Sequence, residues 1–301
     1  DKDWSYMAET SAGDIYACVY NGDIYKQTGA TGNFVALSQT SRAWSGIAAS
    51  SGGDVYACVY GGKVYNQTGG TGDFEEYSPS VKNWRGMAIT STSDIYATVN
   101  GGDIYKVGTP GALSQGALQW QCVAVAPNGD VYAAVYNGDI YKQTGGTGDF
   151  DALSQTSRAW TGLTVTPDGD VYACVYDASN GDIYKQTDGS GNFVALSQSH
   201  IAKYWYGLVS NSDGDVYACV IGGDIYKQTG GTGDFVSLSQ TSRSWYDMAC
   251  DSDGNVYACV SNDDIYKQTD GTGDFEALDL DSLSWFSIDI NSEGDMYAAV
   301  Y

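Results

Sequence analysis

The sequence contains a single histidine, His200, and this scarcity argues against most catalytic arrangements. Catalytic triads, paired-histidine metal sites and most general-base schemes depend on histidine. His200 stands in a lengthened stretch of one repeat only, and we interpret it as a solvated loop residue. We therefore expect a protein that is not an enzyme. Carboxylates near a central channel are the catalytic alternative, and we favour it least.

Positive charge and long apolar runs are also scarce. The 14 lysines and arginines stand against 37 aspartates and glutamates, which gives a formal net charge of -23. Nucleic acid is disfavoured as a partner, because phosphate contacts need a basic surface. No apolar run reaches the roughly 18 residues that a transmembrane helix needs, so we predict no membrane span.

The seven cysteines are an odd number, and no CxxC motif is present to suggest zinc or thiol redox chemistry. Five of them share one strand position with Thr98, Ala134 and Ala299, which is typical of a slot for a small packed side chain rather than of disulfides. These five are Cys18, Cys58, Cys174, Cys219 and Cys259. Unpaired cysteines favour a reducing compartment, whereas the absence of an initial methionine favours export. We favour a secreted or extracellular protein, with a cytoplasmic one as the alternative.

What the sequence does have is a repeat. The eight tryptophans recur at intervals of 40, 40, 36, 40, 45, 40 and 40 residues, and each opens a unit such as "WSGIAASSGGDVYACVYGGKVYNQTGGTGDFEEYS" (44–78). Repeats 1 to 7 and a terminal half repeat begin at Trp4, Trp44, Trp84, Trp120, Trp160, Trp205, Trp245 and Trp285. The third repeat lacks the "TGGTGDF" segment, and the fifth has an insertion at "YDASNGD" (176–182).

Each unit predicts four short antiparallel strands, here called first to fourth from the tryptophan. "VYACVY" and "DIYKQT" are rich in β-branched and aromatic residues and are bounded by turn residues. Asn21-Gly22 predicts a two-residue type I′ hairpin in which Tyr20 faces Asp23 and Tyr16 faces Gln27. One face would then carry Tyr16, Cys18, Tyr20 and Tyr25, and the other Ile15, Ala17, Val19 and Ile24. Both faces are apolar, so we expect each unit to be covered on both sides by its neighbours.

Repeats of about 40 residues with four strands each and no helical periodicity are typical of a β-propeller. We predict one all-β domain over residues 1–301, with seven blades and an extra terminal half repeat. The alternative is a ring of eight positions in which the last blade is half built.

A basic residue stands two positions before most of the tryptophans. Arg42, Arg158 and Arg243 precede Trp44, Trp160 and Trp245, and only Leu118 and Leu283 depart from the rule. Because antiparallel strands reverse, these segments share one end of the blade with the turn that holds Asn21 and Asp23. We predict repeated ligand sites at these eight arginine, tryptophan, asparagine and aspartate positions, since an aromatic plate, a cation and polar acceptors suit a sugar. The structural alternative is that the tryptophan closes the core between blades and the arginine pairs with an Asp23-type carboxylate.

Calcium is the cofactor alternative. "DSDGN" (251–255) and "NSDGD" (211–215) resemble the start of a calcium loop, but other repeats place Ala, Gly, Pro or Asn in this turn. The pattern is typical of turn chemistry, and we predict no metal site and no cofactor.

The run from the tryptophan through "GDIYACVYNGDIYKQTG" resembles the tectonin and tachylectin-2 type of lectin propeller repeat. This resemblance implies a non-catalytic, multivalent carbohydrate-binding protein whose partners are glycans or glycoconjugates. A protein-interaction scaffold is the alternative, and the near identity of the repeats disfavours it because one partner needs an asymmetric surface.

Overall fold

The computed structural model describes residues 4–10, 12–30, 33–50, 52–89, 93–107, 118–198, 203–251, 253–280, 282–290 and 296–300. In these ranges the chain forms β-strands and short 3-10 turns, and none of its helices could span a lipid bilayer. His200 lies outside the described residues.

The strands follow the repeat. The first strands are β1 (Trp4–Glu9), β5 (Arg42–Ala49), the end of β7 (Glu75–Ile89), β10 (Leu118–Val125), β14 (Arg158–Val165), β18 (Trp205–Ser210), β22 (Arg243–Cys250) and β26 (Leu283–Ile290). The second strands are β2 (Ile15–Gly22), the start of β6 (Val55–Gln67), β8 (Ile95–Gly102), β11 (Val131–Gly138), β15 (Val171–Val175), β19 (Val216–Gly223), β23 (Val256–Asp263) and β27 (Met296–Val300). The third strands are β3 (Ile24–Gln27), the end of β6, β9 (Ile104–Lys106), β12 (Ile140–Gln143), β16 (Ile183–Gln186), β20 (Ile225–Gln228) and β24 (Ile265–Gln268). The fourth strands are β4 (Val35–Ala36), the start of β7, β13 (Asp151–Ala152), β17 (Val194–Ala195), β21 (Val236–Ser237) and β25 (Glu276–Ala277).

The hairpin register differs by one residue from the prediction. Tyr16 pairs with Lys26 rather than with Gln27, and the Val19 N–H donates to the Asp23 carbonyl oxygen at 3.0 Å. The turn therefore has three residues, and among them Asn21 has the positive φ, 56°. The reason is a contact outside the hairpin, because the residues on either side of Asn21 pair with the first strand of the next repeat, β5.

A one-residue slip moves side chains to the opposite face. Ile24 consequently joins Tyr16 and Cys18, and Tyr25 joins the aliphatic face, so the prediction is wrong for these two third-strand residues. The prediction is confirmed for Tyr16 and Cys18, whereas Tyr20 belongs to the three-residue turn and is 39% exposed. The face of Tyr16, Cys18 and Ile24 packs on the aliphatic second strand of repeat 2, with the buried Trp44 between them, and the same packing recurs between later repeats. Fully burying one large apolar side chain on such a face stabilises the folded state by about 1.5 to 3 kcal/mol.

The repeats contact one another in chain order through their first strands. The half repeat continues this order, because β26 contacts β22 of repeat 7 on one side and β1 of repeat 1 on the other, and β27 also contacts β1. The half repeat thus supplies two strands, β26 and β27, between repeat 7 and repeat 1. The number of blades stays a prediction, since the segment that would hold the fourth strand of repeat 3 (108–117) lies outside the described residues.

Candidate functional site

The tryptophans that open repeats 2 to 7 are buried, with at most 2% of each exposed. The indole N–H groups of Trp44, Trp160 and Trp245 each donate at 3.0 to 3.1 Å to a glycine carbonyl of the preceding repeat. The ring faces are covered by protein. The expectation that these three rings stack on a ligand therefore conflicts with the structure, which favours their role as core residues between repeats.

In repeats 2, 3, 5, 6 and 7 the basic residue two positions before the tryptophan stacks on a tyrosine of the third strand. The guanidinium carbons of Arg42, Arg158 and Arg243 lie 4.4, 4.8 and 4.4 Å from the ring centroids of Tyr65, Tyr184 and Tyr266. Each of these tyrosines packs edge-on against the buried tryptophan, with ring centroids 5.1 to 5.4 Å apart. The recurring arginine thus caps an aromatic pair, a cation–π contact of about 0.5 to 1 kcal/mol near the surface.

The carboxylate partner expected for the arginine has another role. Asp23 Oδ1 accepts hydrogen bonds from the backbone N–H groups of Ile24 and Gln39, both at 2.7 Å. It therefore holds the backbone that follows the fourth strand against the start of the third strand. The ion pair that the structure records for an arginine joins Arg243 to Asp263 at 3.0 Å, and Asp263 occupies the repeat position of Gly22. Pairing with an Asp23-type carboxylate was the wrong expectation for Arg243.

Asn21 is exposed at the tip of the turn, and its carbonyl oxygen accepts a hydrogen bond from Ser41 Oγ at 2.8 Å. This contact and the pairing of Gly22 with Arg42 confirm that the turn and the segment before the tryptophan share one end of the blade. The structure therefore brings Asn21, Asp23 and Arg42 together, but it engages Asp23 in backbone hydrogen bonds.

The lysine of the third strand binds the next repeat. Lys26 Nζ and the Tyr16 hydroxyl both donate to the carbonyl oxygen of Gly70, at 2.9 and 2.8 Å, and Asp14 pairs with Lys26 at 2.6 Å. We call this arrangement, a third-strand lysine and a second-strand tyrosine on the carbonyl of the last glycine of the following "TGG" or "TDG" turn, the Lys–Tyr clamp. It recurs as Lys142 and Tyr132 on Gly189, Lys185 and Tyr172 on Gly231, and Lys227 and Tyr217 on Gly271.

The clamp explains an exception in the sequence. Repeat 2 has Asn66 where other repeats have the lysine, and the repeat that follows it is the one that lacks "TGGTGDF". Its tyrosine, Tyr56, instead packs edge-on against Tyr77 with ring centroids 5.1 Å apart. Repeat 2 thus lacks the lysine donor of the clamp, and repeat 3 lacks the turn whose glycine carbonyl would accept from it.

The turns that resemble calcium loops hold themselves together with their own side chains. Asp251 Oδ1 accepts hydrogen bonds from the backbone N–H groups of Asp253 and Asn255, and Asn211 Oδ1 does the same for Asp213 and Asp215. No group of three or more metal-ligating side chains is found in the ranges that the structure describes.

The shared cysteine position is buried, as the sequence predicts. Cys18, Cys58, Cys174, Cys219 and Cys259 are fully enclosed and carry free thiols. Burial raises the pKa of the Cys58 thiol to about 12, so it stays protonated and unreactive at neutral pH.

A cavity of about 700 Å³ lies where the first strands of successive repeats converge. Two repeat positions supply most of its lining, namely the residue after each tryptophan and the residue at the position of Tyr20. Because Tyr20 directly precedes Asn21, the cavity lies toward the end of the blades that carries Asn21. The lining consists of Asn100, Gln119, Trp120, Gln121, Tyr136, Thr161, Tyr176, Tyr206, Ile221, Tyr246, Ser261, Ser284 and Trp285.

Tyrosines from three repeats meet in this central cavity. Tyr206 packs edge-on against Tyr246 at 5.3 Å and against Tyr176 at 6.2 Å, and Tyr176 also contacts Tyr204 at 4.6 Å. Burial raises the pKa of Tyr176, with a further contribution from Tyr204, so its phenol is a hydrogen-bond donor at neutral pH. None of the lining residues that the structure describes is an Asp, Glu, Lys or Arg, in a chain with a net charge of -23.

A second cavity, about 450 Å³, lies at the insertion in repeat 5. Arg158, Asp177, Asn180 and Tyr184 are among its lining residues. Of the three arginines predicted as ligand sites, Arg158 is thus the one that borders a described cavity.

Sequence reasoning missed Tyr206 and Tyr246 because tyrosine does not recur after the tryptophans, and it placed the tyrosine of the Tyr20 position on a blade face rather than in a cavity. The residue after each tryptophan varies among Ser, Arg, Gln, Thr, Tyr and Phe, and the residue at the Tyr20 position varies among Tyr, Asn, Ile and Ser. Among nearly identical repeats, this concentration of differences at two positions was the signal that could have located the cavity.

No protein-family model matches the chain, and no curated protein matches it in sequence. Solved structures do match. The Dos1 propeller superposes with a TM-score of 0.78 at 10% identity, over 99% of this chain and 90% of that one. The fold is a β-propeller. Virginiamycin B lyase from Staphylococcus aureus is similar with a TM-score of 0.65 at 14% identity (85% and 91% covered), and YCF48 bound to D1 peptide with 0.61 at 12% (99% and 90%).

Proposed function

We propose that this propeller is a non-catalytic binding protein that takes a carbohydrate in its central cavity. The observation that carries the proposal is the chemistry of the lining: tyrosine and tryptophan rings beside amide and hydroxyl groups, with no charged side chain among the lining residues that the structure describes. Sugars present C–H faces that pack on aromatic rings, and their hydroxyl groups need both donors and acceptors. The volume of about 700 Å³ lies in the usual range of small-molecule sites.

This proposal keeps the lectin function that the tectonin-like repeat implies and moves the main site. The buried tryptophans are not proposed as ligand-binding residues, and Tyr176, Tyr206 and Tyr246 are proposed in their place. Arg158, beside its own cavity, remains a second ligand site within the proposal. Because the lining of the central cavity differs from repeat to repeat, we expect one dominant site per chain rather than seven equal ones.

Binding to a defined glycan on an array, repeated with EDTA, tests the proposal. We expect binding that survives the chelator and falls at least tenfold in the double variant Tyr206→Ala and Tyr246→Ala, since each aromatic contact contributes about 0.5 to 1.5 kcal/mol. The matched control is Tyr60→Ala, because Tyr60 stands at the same repeat position as Tyr176 but is not among the residues that line the cavity. Equal loss in the control, or unchanged binding in the double variant, would contradict the central site.

A protein-interaction scaffold is the second candidate, and one observation favours it. The central cavity is asymmetric, as a site for a single protein segment needs to be, and a propeller of the same fold is known bound to a peptide. If the array shows no sugar binding but a peptide library yields a ligand sensitive to the same double variant, the scaffold replaces the lectin.

A further inference from the structure

Repeat 2 departs from the other repeats at one position of its third strand. Asn66 stands where the other six full repeats have a lysine, and with Gln67 and Thr68 it forms an N-x-T motif. The sequence contains no other N-x-S or N-x-T motif, because the other third-strand "QT" pairs follow a lysine. N-x-S/T is the motif at which asparagine receives an N-linked glycan.

The backbone places the two essential side chains of the motif on one side of the chain. Gln67 between them is extended, with φ -119° and ψ 115°, and is 1% exposed, so its side chain faces the interior. Residues two apart in an extended chain point to the same side, here away from the interior. Asn66 is half-buried, Thr68 is exposed, and Asn66 Nδ2 donates to Thr68 Oγ1 at 3.3 Å. The threonine thus orients one N–H of the amide, and no second acceptor for this nitrogen is recorded among the described residues.

The next repeat lacks the contact that restrains this position elsewhere. Lys26, Lys142 and Lys185 each donate to a glycine carbonyl in the turn of the following repeat. Repeat 3 has no "TGGTGDF" segment, so repeat 2 has no such turn to bind. A bulky group on Asn66 therefore displaces no Lys–Tyr clamp, whereas the same group at an equivalent lysine position would displace one.

The position is also compatible with a ligand in the central cavity. The third strand of repeat 2 begins after the turn 60–62, which corresponds to the turn that holds Asn21, and ends at Gln67 before the 3-10 turn Thr68–Gly70. Asn66 therefore lies toward the opposite end of the blade. A glycan there leaves open the end of the blades toward which the central cavity lies.

We propose that Asn66 is an N-glycosylation site, and that repeat 2 accommodates the glycan because it has no clamp. In the reaction Asn66 Nδ2 forms a bond to C1 of the first sugar of a lipid-linked oligosaccharide pyrophosphate. The bond between C1 and the pyrophosphate oxygen breaks, the lipid pyrophosphate leaves, and the nitrogen loses one proton. The proposal rests on the predicted export of the chain, because the transferase and its lipid-linked donor act in the secretory pathway.

Secretion of the 301-residue chain from cultured mammalian cells, behind a cleavable signal peptide, tests the proposal. We expect one N-glycan per chain, which peptide N-glycosidase F removes while it converts the amide of residue 66 to a carboxyl group. Thr68→Ala and Asn66→Gln should each abolish this loss of mass, whereas Thr68→Ser should keep it. The protein from its natural source should show the same loss of mass. A chain without a glycan on Asn66 in either case overturns the proposal.

A matched variant tests whether the fold accommodates the glycan in repeat 2 in particular. Lys142→Asn introduces the same motif in repeat 4, where residues 140–150 otherwise differ from residues 64–74 only at the first position. Because Lys142 Nζ lies 2.7 Å from the Gly189 carbonyl oxygen, we expect a glycan there to lower the secreted yield of folded chain several-fold.

The control for this variant is Lys142→Asn combined with Thr144→Ala, which lacks the motif and therefore measures the loss of the clamp alone. The glycosylated Lys142→Asn chain should be secreted less than this control, whereas the unchanged chain should be secreted as well as Thr68→Ala. Equal yields of the single and double variants at position 142, or a lower yield of the unchanged chain than of Thr68→Ala, would overturn the proposal.

Discussion

At the scale of single residues, the contacts between repeats depend on a few partly buried charges. Asp130 pairs with Lys142 at 2.7 Å and also accepts from the Gly145 N–H at 2.7 Å. Burial alone would raise the pKa of Asp130, but hydrogen bonds from Lys142, Gly145 and Asn128 hold it below its usual value. The stabilisation by a carboxylate with a lowered pKa is present above its unfolded value and is lost as the pH falls through the folded one.

We expect Asp130→Asn to lower the free energy of unfolding at pH 7 by about 1 to 3 kcal/mol, because Lys142 loses its charged partner. The asparagine keeps an acceptor for Gly145, as Asn255 does for Asp270 N–H in repeat 7. Urea unfolding at several pH values measures the loss, which should be full above about pH 5 and shrink below about pH 4. The control is Asp54→Asn, which lacks a lysine partner and should cost less than about 0.5 kcal/mol; equal losses would refute the role of the ion pair.

At the scale of elements, the turn after the second strand shows why local rules fail in part. Asn137, at the position of Asn21, has a φ of 56°, which glycine and asparagine tolerate and β-branched residues do not. Its carbonyl oxygen accepts from Ser157 Oγ at 2.7 Å, a contact that any residue in the same conformation preserves.

Asn137→Gly should therefore change the free energy of unfolding by less than about 0.5 kcal/mol, whereas Asn137→Val should lower it by about 1 to 2 kcal/mol. Chemical denaturation of both variants measures the difference. Similar stability of the two would show that the left-handed conformation is not kept in solution.

The same turn shows how far sequence reasoning reaches. The repeats, the strands and the apolar faces of the second strands follow from local pattern, and the structure confirms them. The register does not follow, because Tyr20 and Gly22 pair with a strand of the next repeat, and a local turn rule does not contain that contact. The tryptophans are predicted as ligand residues because recurrence alone does not separate a core residue from a site, and Tyr206 and Tyr246 escape the prediction because tyrosine does not recur after the other tryptophans.

At the scale of the whole molecule, the net charge of -23 opposes the compact state. The ion pairs that join third-strand lysines to turn aspartates are mostly less than a quarter exposed, so salt screens them less than it screens the surface carboxylates. Added salt should therefore weaken the repulsion between surface charges more than it weakens these pairs.

We expect the melting temperature to rise by about 2 to 4 °C between 10 mM and 300 mM NaCl, which corresponds to about 1 kcal/mol for a domain of a few hundred residues. KCl at the same ionic strength should act alike, because screening does not depend on the identity of the ion. Differential scanning calorimetry measures the shift, and CaCl2 at equal ionic strength is the discriminating control. A rise with CaCl2 alone would mean that the aspartate-rich turns bind the cation specifically, whereas a fall in NaCl would mean that ion pairs outweigh the repulsion.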